Sequence, residues 1–202
     1  MPETRRHLEL RTALFQILQS VYGRRATVGS EQFVYWDPTD PAQCCAPDVM
    51  LRLGEPDAPF DVWKVWERGA PHIAIEIISD SDSSDHPWEA KLERYRHVGV
   101  KELVRFDGDD SKHALRIWDA VEGDLVERAP AVPEFAYSAV LEAYFCVRDG
   151  YSVGPMLRLS RDAEGRDLFP TPQEARQAEA EARERAEARV RELEAELQRR
   201  GR

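Results

Sequence analysis

A carboxylate stands in the middle of the most isoleucine-rich stretch of the chain. It is Glu76, within the run from Pro71 to Ser79, with Ala74 and Ile75 before it and Ile77 and Ile78 after it. A short apolar run of this kind reads as a strand buried on both faces. A carboxylate there must be paired, protonated or bound to a cation. Upstream, Pro47-Asp48 opens another strand, and downstream a helix carries Lys91. If the strands are neighbours, Asp48 and Glu76 meet. Two carboxylates about 4 Å apart repel by roughly 4 kcal/mol at an effective dielectric of 20. A divalent cation removes that repulsion, and all-oxygen ligation favours Mg²⁺ or Mn²⁺. Such an ion acidifies bound water and neutralises a phosphate in flight, while the Lys91 ammonium could stabilise developing charge or hold the attacking water.

Each residue also has a simpler reading. Asp48 could cap a turn, Glu76 could pair with an arginine such as Arg105, Lys91 could be solvated, and Tyr95 could be core. The five histidines, His7, His72, His86, His97 and His113, show no HxH or HExxH spacing, which argues against histidine-held metal. His7, on the first helix, could line the site. The acidic-serine segment 79–85 reads as a solvated connection. No P-loop or GxGxxG string occurs, so nucleotide-binding readings have no support.

The elements that must position these groups follow from periodicity. Residues 5–22 place Leu10, Leu14, Ile17, Leu18 and Val21 on one helical stripe, and Gly23 ends the helix. Residues 26–36 read as extended, 37–41 as a turn, and 47–53 as a strand that alternates Val49, Leu51 and Leu53 with Asp48, Met50 and Arg52. Residues 60–67 fit strand or helix equally. Pro87 suits the first position of a helix over 87–98 that buries Trp88, Leu92 and Tyr95, with Gly99 closing it. Residues 101–107 form a strand, 114–120 and 124–128 a hairpin around Glu122-Gly123, and 141–148 and 156–160 two further strands. Asp162–Gly165 is a turn, and Pro170-Thr-Pro172 a stop.

With 202 residues the chain can hold one domain with a real core and an appendage. The net charge of −10 argues against a protein that coats nucleic acid, though not against a local basic groove. All of the excess lies before residue 172, with 20 basic against 30 acidic residues there and eight against eight beyond. Three cysteines without CxxC spacing (Cys44, Cys45 and Cys146) speak against zinc and for a reducing cytosol. Neither a ~20-residue apolar span nor a signal-peptide core is present, so a cytoplasmic protein is expected. From Gln173 to Gly201 the composition is almost entirely Ala, Glu, Arg, Gln and Leu, all strong helix formers. The stripe Ala175, Ala178, Ala182, Ala186, Val190, Leu193, Leu197 does not sustain a heptad. This tail is either a solvated helix or a pairing helix in a homo-oligomer.

Taken in order, Pro47-Asp48, Ile73-Ala-Ile-Glu-Ile-Ile-Ser79, Lys91-Leu-Glu-Arg-Tyr95 and Gly99-Val-Lys-Glu-Leu-Val-Arg-Phe-Asp107 resemble the Uma2 family (DUF820), restriction-endonuclease-like proteins of the PD-(D/E)XK superfamily. Leu157-Arg-Leu, Gly165, Leu168, Pro170-Thr-Pro-Gln-Glu174 and the charged tail extend the likeness over most of the chain from about residue 7. The resemblance implies an α/β (α+β) fold: a restriction-endonuclease-like mixed sheet flanked by helices over 1–171, with a long C-terminal helix over 172–202. It implies Mg²⁺- or Mn²⁺-dependent hydrolysis of DNA phosphodiesters, with Asp48 and Glu76 as metal ligands, a carbonyl at or near Ile77 as the third, and Lys91 as the catalytic ammonium. Tyr95 lies one turn beyond Lys91 on the same face. Ile78 stands where the superfamily motif carries its lysine. Asp85 lies six residues before Lys91, where the family has an Asp four before, and Gly-Val-x-Glu-Tyr-Trp is reduced to Glu102-Leu103-Val104. These departures admit a second function, a nuclease fold serving as a non-catalytic interaction module with a helical tail for oligomerisation or partner binding.

Overall fold

The computed structural model describes residues 4–78, 88–129, 132, 134–150 and 153–200. It divides into two compact units, 1–169 and 170–202. The first opens with helix α1 (Arg5–Tyr22), capped by the Thr4 hydroxyl, which accepts from the His7 backbone N–H at 3.2 Å. Its buried stripe is Leu10, Leu14, Ile17, Leu18 and Tyr22. Tyr22 replaces the expected Val21, which is half-buried, because the tyrosine hydroxyl reaches Leu141 O at 2.8 Å.

The central sheet has six strands: β1 (Ala26–Gly29), β4 (Val49–Leu53), β6 (Ile73–Ile77), β7 (Glu102–Phe106), β8 (Leu115–Val121) and β9 (Asp124–Glu127), side by side in that order. Only β6 and β7 run parallel; the other neighbours are antiparallel. The parallel pair needs a crossover, and helix α3 (Trp88–Val98) lies within it. Gly99, at φ +81°, ends α3 in the left-handed region. Residues 79–87, including Asp85 and Pro87, lie outside the described residues.

A second antiparallel sheet joins β10 (Phe135–Ser138), β11 (Ala143–Gly150) and β12 (Gly154–Ser160). A small third one joins β3 (Cys44–Cys45), β2 (Val34–Tyr35) and β5 (Trp63–Lys64). The extended reading of 26–36 is thus split into two strands of different sheets. The ambiguous stretch 60–67 is both things in turn, β5 followed by the one-turn helix α2 (Val65–Arg68).

Two cores flank the central sheet. On one face Val49, Leu51, Ile73, Ile75, Ile77, Val104 and Phe106 pack with α1 and with Phe145, Leu157 and Leu159 of the second sheet. On the other, Met50, Ala74, Leu103 and Trp118 pack with Tyr95 and Val98 of α3 and with Val34 and Trp63 of the third sheet. All five residues of β6 are buried, as a strand covered on both sides must be. Along α3, Tyr95 and Val98 are buried while Trp88 and Leu92 are only half-buried.

The second unit is helix α4 (Pro172–Arg200). Thr171 and Glu174 form a reciprocal cap, with Thr171 N donating to Glu174 Oε2 at 2.8 Å and Glu174 N to Thr171 Oγ1 at 3.1 Å. Pro172 is therefore the first helical residue rather than a stop. Among the described residues of α4 none is buried.

Candidate active site

Asp48 immediately precedes β4, and Val49 faces Ile75 across the antiparallel pair. One residue back along the same register, Asp48 falls opposite Glu76. The alternation of β6 sends Ile75 and Ile77 to the α1 face and Glu76 to the α3 face. Glu76 is 5% exposed and Asp48 8%, so both carboxylates need partners.

Glu76 has two on α3. Lys91 Nζ donates to Oε2 at 2.7 Å, and the Tyr95 hydroxyl donates a short hydrogen bond to Oε1. Lys91 and Tyr95 are four apart and share a helix face, so one element supplies both donors. Burial pushes the Glu76 carboxyl above its ordinary range. The Lys91 ammonium pulls it back, the Asp48 charge pushes it up again, and the hydrogen bonds from Lys91 and Tyr95 favour the anion. Tyr95 is held well above its usual phenol range by burial and then by Glu76, so it stays a donor. Cys45 of β3 flanks the same pair, and burial, then Glu76, pushes its thiol to about 12. At that value it is not a nucleophile near neutrality.

Asp48 is held from two other directions. Its Oδ2 accepts from Ile77 N at 2.7 Å, which locks the start of β4 to the end of β6. Its Oδ1 lies 3.2 Å from His7 Nε2, and the same nitrogen is 3.0 Å from Ile77 O. The Asp48 carbonyl accepts from Ser30 Oγ at 2.7 Å, and Ser30 Oγ accepts from Arg11 Nη1 at 2.9 Å. Helix α1 thus contributes His7 and Arg11, again four apart, to the surroundings of Asp48.

Asp48, Glu76 and Lys91 come together from β4, β6 and α3, with Tyr95 beside them and Ile77 O at the edge. The alternative pairing of Glu76 with Arg105 does not form. The two are register partners on β6 and β7, but Arg105 Nη2 binds Asp107 Oδ2 at 2.7 Å, just past the end of its own strand. His7 is the neighbour that the sequence left least defined. The signal available for it was its place on the amphipathic α1, one turn before Leu10 and Arg11. Among the described residues no group of three or more His, Cys, Asp and Glu side chains is placed to hold a metal ion. Among the described residues, two carboxylates and a backbone carbonyl are the groups an ion here could use. No helix among the described residues is long and apolar enough to cross a membrane.

A mixed sheet with α1 on one face and α3 on the other, and an acidic pair facing each other across neighbouring strands, makes this an α/β fold. Residues 1–136 match the family model of Uma2, whose description reads "Putative restriction endonuclease". That match takes in about two thirds of the sequence, and the chain belongs to the Uma2 family. Among solved structures, one similar chain is a "putative nuclease belonging to DUF820" from Anabaena variabilis ATCC 29413, with 18% sequence identity and a TM-score of 0.44. The similarity covers 59% of this chain and 64% of that one, less than two thirds of the other protein's length. No curated protein sequence matches the chain.

Proposed function

We propose that the protein is a metal-dependent endonuclease that hydrolyses phosphodiester bonds of DNA, with Asp48, Glu76 and Lys91 as its working residues. The observation that carries this reading is the buried Glu76, whose Oε2 lies 2.7 Å from Lys91 Nζ and whose neighbour across the β4–β6 register is a second buried carboxylate, Asp48. Like-charged groups desolvated side by side destabilise a fold and persist where chemistry uses them.

The donor set fits Mg²⁺ or Mn²⁺. Two carboxylates and the Ile77 carbonyl are hard oxygen donors, and the upward push of Asp48 on Glu76 is a repulsion that a bound dication relieves. When bound, such an ion supplies charge neutralisation at the scissile phosphate and a more acidic water. Asp48 and Glu76 would hold the ion, and Ile77 N and Tyr95 fix the two carboxylates in orientation. Lys91 sits where it can orient the attacking water or meet the charge that grows on the phosphate oxygens. The water oxygen bonds to phosphorus, the phosphorus–oxygen bond to the leaving nucleoside breaks, and the water's proton passes to solvent or to the leaving oxygen.

The test is cleavage of plasmid DNA and of DNA and RNA oligonucleotides with Mg²⁺ or Mn²⁺, comparing the wild type with Asp48→Ala and Glu76→Ala. The expected result is DNA cutting that each substitution lowers by at least a hundredfold, about 3 kcal/mol of barrier. A wild type that cuts nothing, or variants that cut as well as it does, ends this reading.

One observation favours a second reading, an interaction module without catalysis. Helix α4 leaves Val190, Leu193 and Leu197 exposed, a face available for a partner or a second copy. That reading expects no carboxylate-dependent Mg²⁺ heat in titration calorimetry, and a change of oligomeric state on deleting residues 173–202.

A further inference from the structure

We propose that His7 is a placeholder for the cation: its Nε2–H holds the Asp48 carboxylate and the Ile77 carbonyl in the metal-free protein and gives way when the ion binds. This deepens the metal-nuclease reading above and rests on it.

His7 reaches the site from the first turn of α1, far in sequence from both partners, and its side chain is only 13% exposed. Its Nε2 lies 3.2 Å from Asp48 Oδ1 and 3.0 Å from Ile77 O. Both of these atoms only accept hydrogen bonds, so Nε2 carries the proton in any tautomer that satisfies them. An Nε2 that bears a proton has no lone pair to offer a metal. One N–H therefore does for two oxygens what a dication would do for them, with less charge.

A Mg²⁺ ion demands near-octahedral oxygens at about 2.0–2.1 Å and keeps several of its waters. That hydrated shell needs the side of Asp48 Oδ1 and Ile77 O which the imidazole edge now fills. The ring has somewhere to go. A cavity of about 250 Å³ is lined by Thr4, Arg6, His7, Ile77 and Ile78, so His7 forms one wall of an open space beside the donors. Its neighbour Arg6 is anchored by Asp109, at 2.8 Å to each oxygen, and by Val153 O at 2.9 Å. These contacts hold the first turn of α1 beside the cavity.

The experiment titrates MgCl₂, and separately MnCl₂, into the EDTA-treated full-length wild type, His7→Ala and His7→Gln, with thermal melting of each protein before and after metal. Removing the placeholder is expected to tighten Mg²⁺ binding by roughly three- to tenfold, the net worth of one ordinary hydrogen bond that no longer has to be broken. The metal-free His7→Ala melts lower than wild type, and Mg²⁺ closes most of that gap. His7→Gln, whose amide can donate to the same oxygens, stays near wild type in both readouts. Weaker ion binding in His7→Ala, most marked for Mn²⁺, makes His7 a ligand and overturns the proposal. An affinity unchanged beside a lowered metal-free melting point makes His7 a packing residue and also overturns it. If wild type and variants alike bind neither ion, the metal-nuclease reading fails and takes this one with it. Metal binding by wild type without tightening in His7→Ala sinks the placeholder alone.

Discussion

Lys91 and Glu76 hold each other in a place where neither would stand alone. Their side chains are 17% and 7% exposed, and removing one partner of such a pair costs about 3–5 kcal/mol because a charge is left buried. Lys91→Met is therefore expected to destabilise the metal-free protein by about 3 kcal/mol near pH 8. The sign of its pH dependence follows from Glu76, whose folded-state pKa lies above its unfolded value. A carboxyl of this kind favours the fold while protonated, below the unfolded pKa, and that contribution is lost as pH rises through the folded pKa. Without Lys91 the folded pKa climbs further, so the variant's deficit shrinks near pH 5 and widens toward pH 8. Urea denaturation at both pH values checks this, and an equal deficit at both would mean that Lys91 does not compensate the Glu76 charge. Tyr95→Phe isolates the other donor. It keeps the ring that fills the α3 core and removes only the hydroxyl on Glu76 Oε1. The expected loss is about 1–2 kcal/mol, together with a several-fold fall in Mg²⁺ affinity measured by calorimetry.

Glu102 shows how one strand residue can tie elements together without entering the site. It lies at the start of β7, 2% exposed. It accepts from Ser138 Oγ at 2.5 Å, from Ala139 N at 2.9 Å and from Arg128 Nη2 at 3.1 Å, so it fastens the end of β10 and the residue after β9 to the central sheet. Glu102→Ala is expected to cost about 3 kcal/mol in denaturation, since three donors lose a buried acceptor, while cleavage per folded molecule stays at the wild-type level. That clamp was not legible in the sequence, and the reason applies elsewhere in the chain. Helix α1 carries an apolar stripe and β6 and β7 carry apolar runs, so their own residues announce them. Strand β10 has four residues of mixed burial and exists through its register with β11, Phe135 against Cys146. Strand β3 is two cysteines long and exists through β2. Pairing partners decide such segments, and no local pattern names a partner. The site divides in the same way. Asp48, Glu76, Lys91 and Tyr95 stand in a spaced order that can be read, because β4, β6 and α3 follow one another in the fold as in the chain. His7 comes from the opposite face of the sheet by way of α1, and a single histidine on an amphipathic helix has no spacing to betray its partner.

At the scale of the whole molecule, charge sets how a nucleic acid can be held. The chain carries a net charge of −10, and its excess of acidic residues lies before residue 172. Proteins that bind DNA through many Lys and Arg contacts release counterions, and their affinity falls steeply with salt. An acidic surface gains little from that release, and a bound cation that inverts the local charge offers the phosphate another place to be drawn in. On the metal-nuclease reading proposed above, that place is the Asp48–Glu76 pair. The expected behaviour is undetectable DNA association in EDTA at about 0.15 M salt, near the physiological screening range. Association should appear on adding Ca²⁺, which brings the same charge with looser coordination geometry. Glu76→Ala and Asp48→Ala should each abolish the Ca²⁺-dependent part, although both substitutions make the protein less negative. This direction separates a metal-bridged complex from general electrostatics, because simple charge repulsion predicts that losing a carboxylate improves binding. Fluorescence anisotropy of a labelled oligonucleotide, read across a salt series with and without Ca²⁺, measures both quantities. Tight metal-independent binding with a steep inverse dependence on salt would place the DNA on a basic surface away from the two carboxylates, and the acidic pair would lose its claim to the substrate.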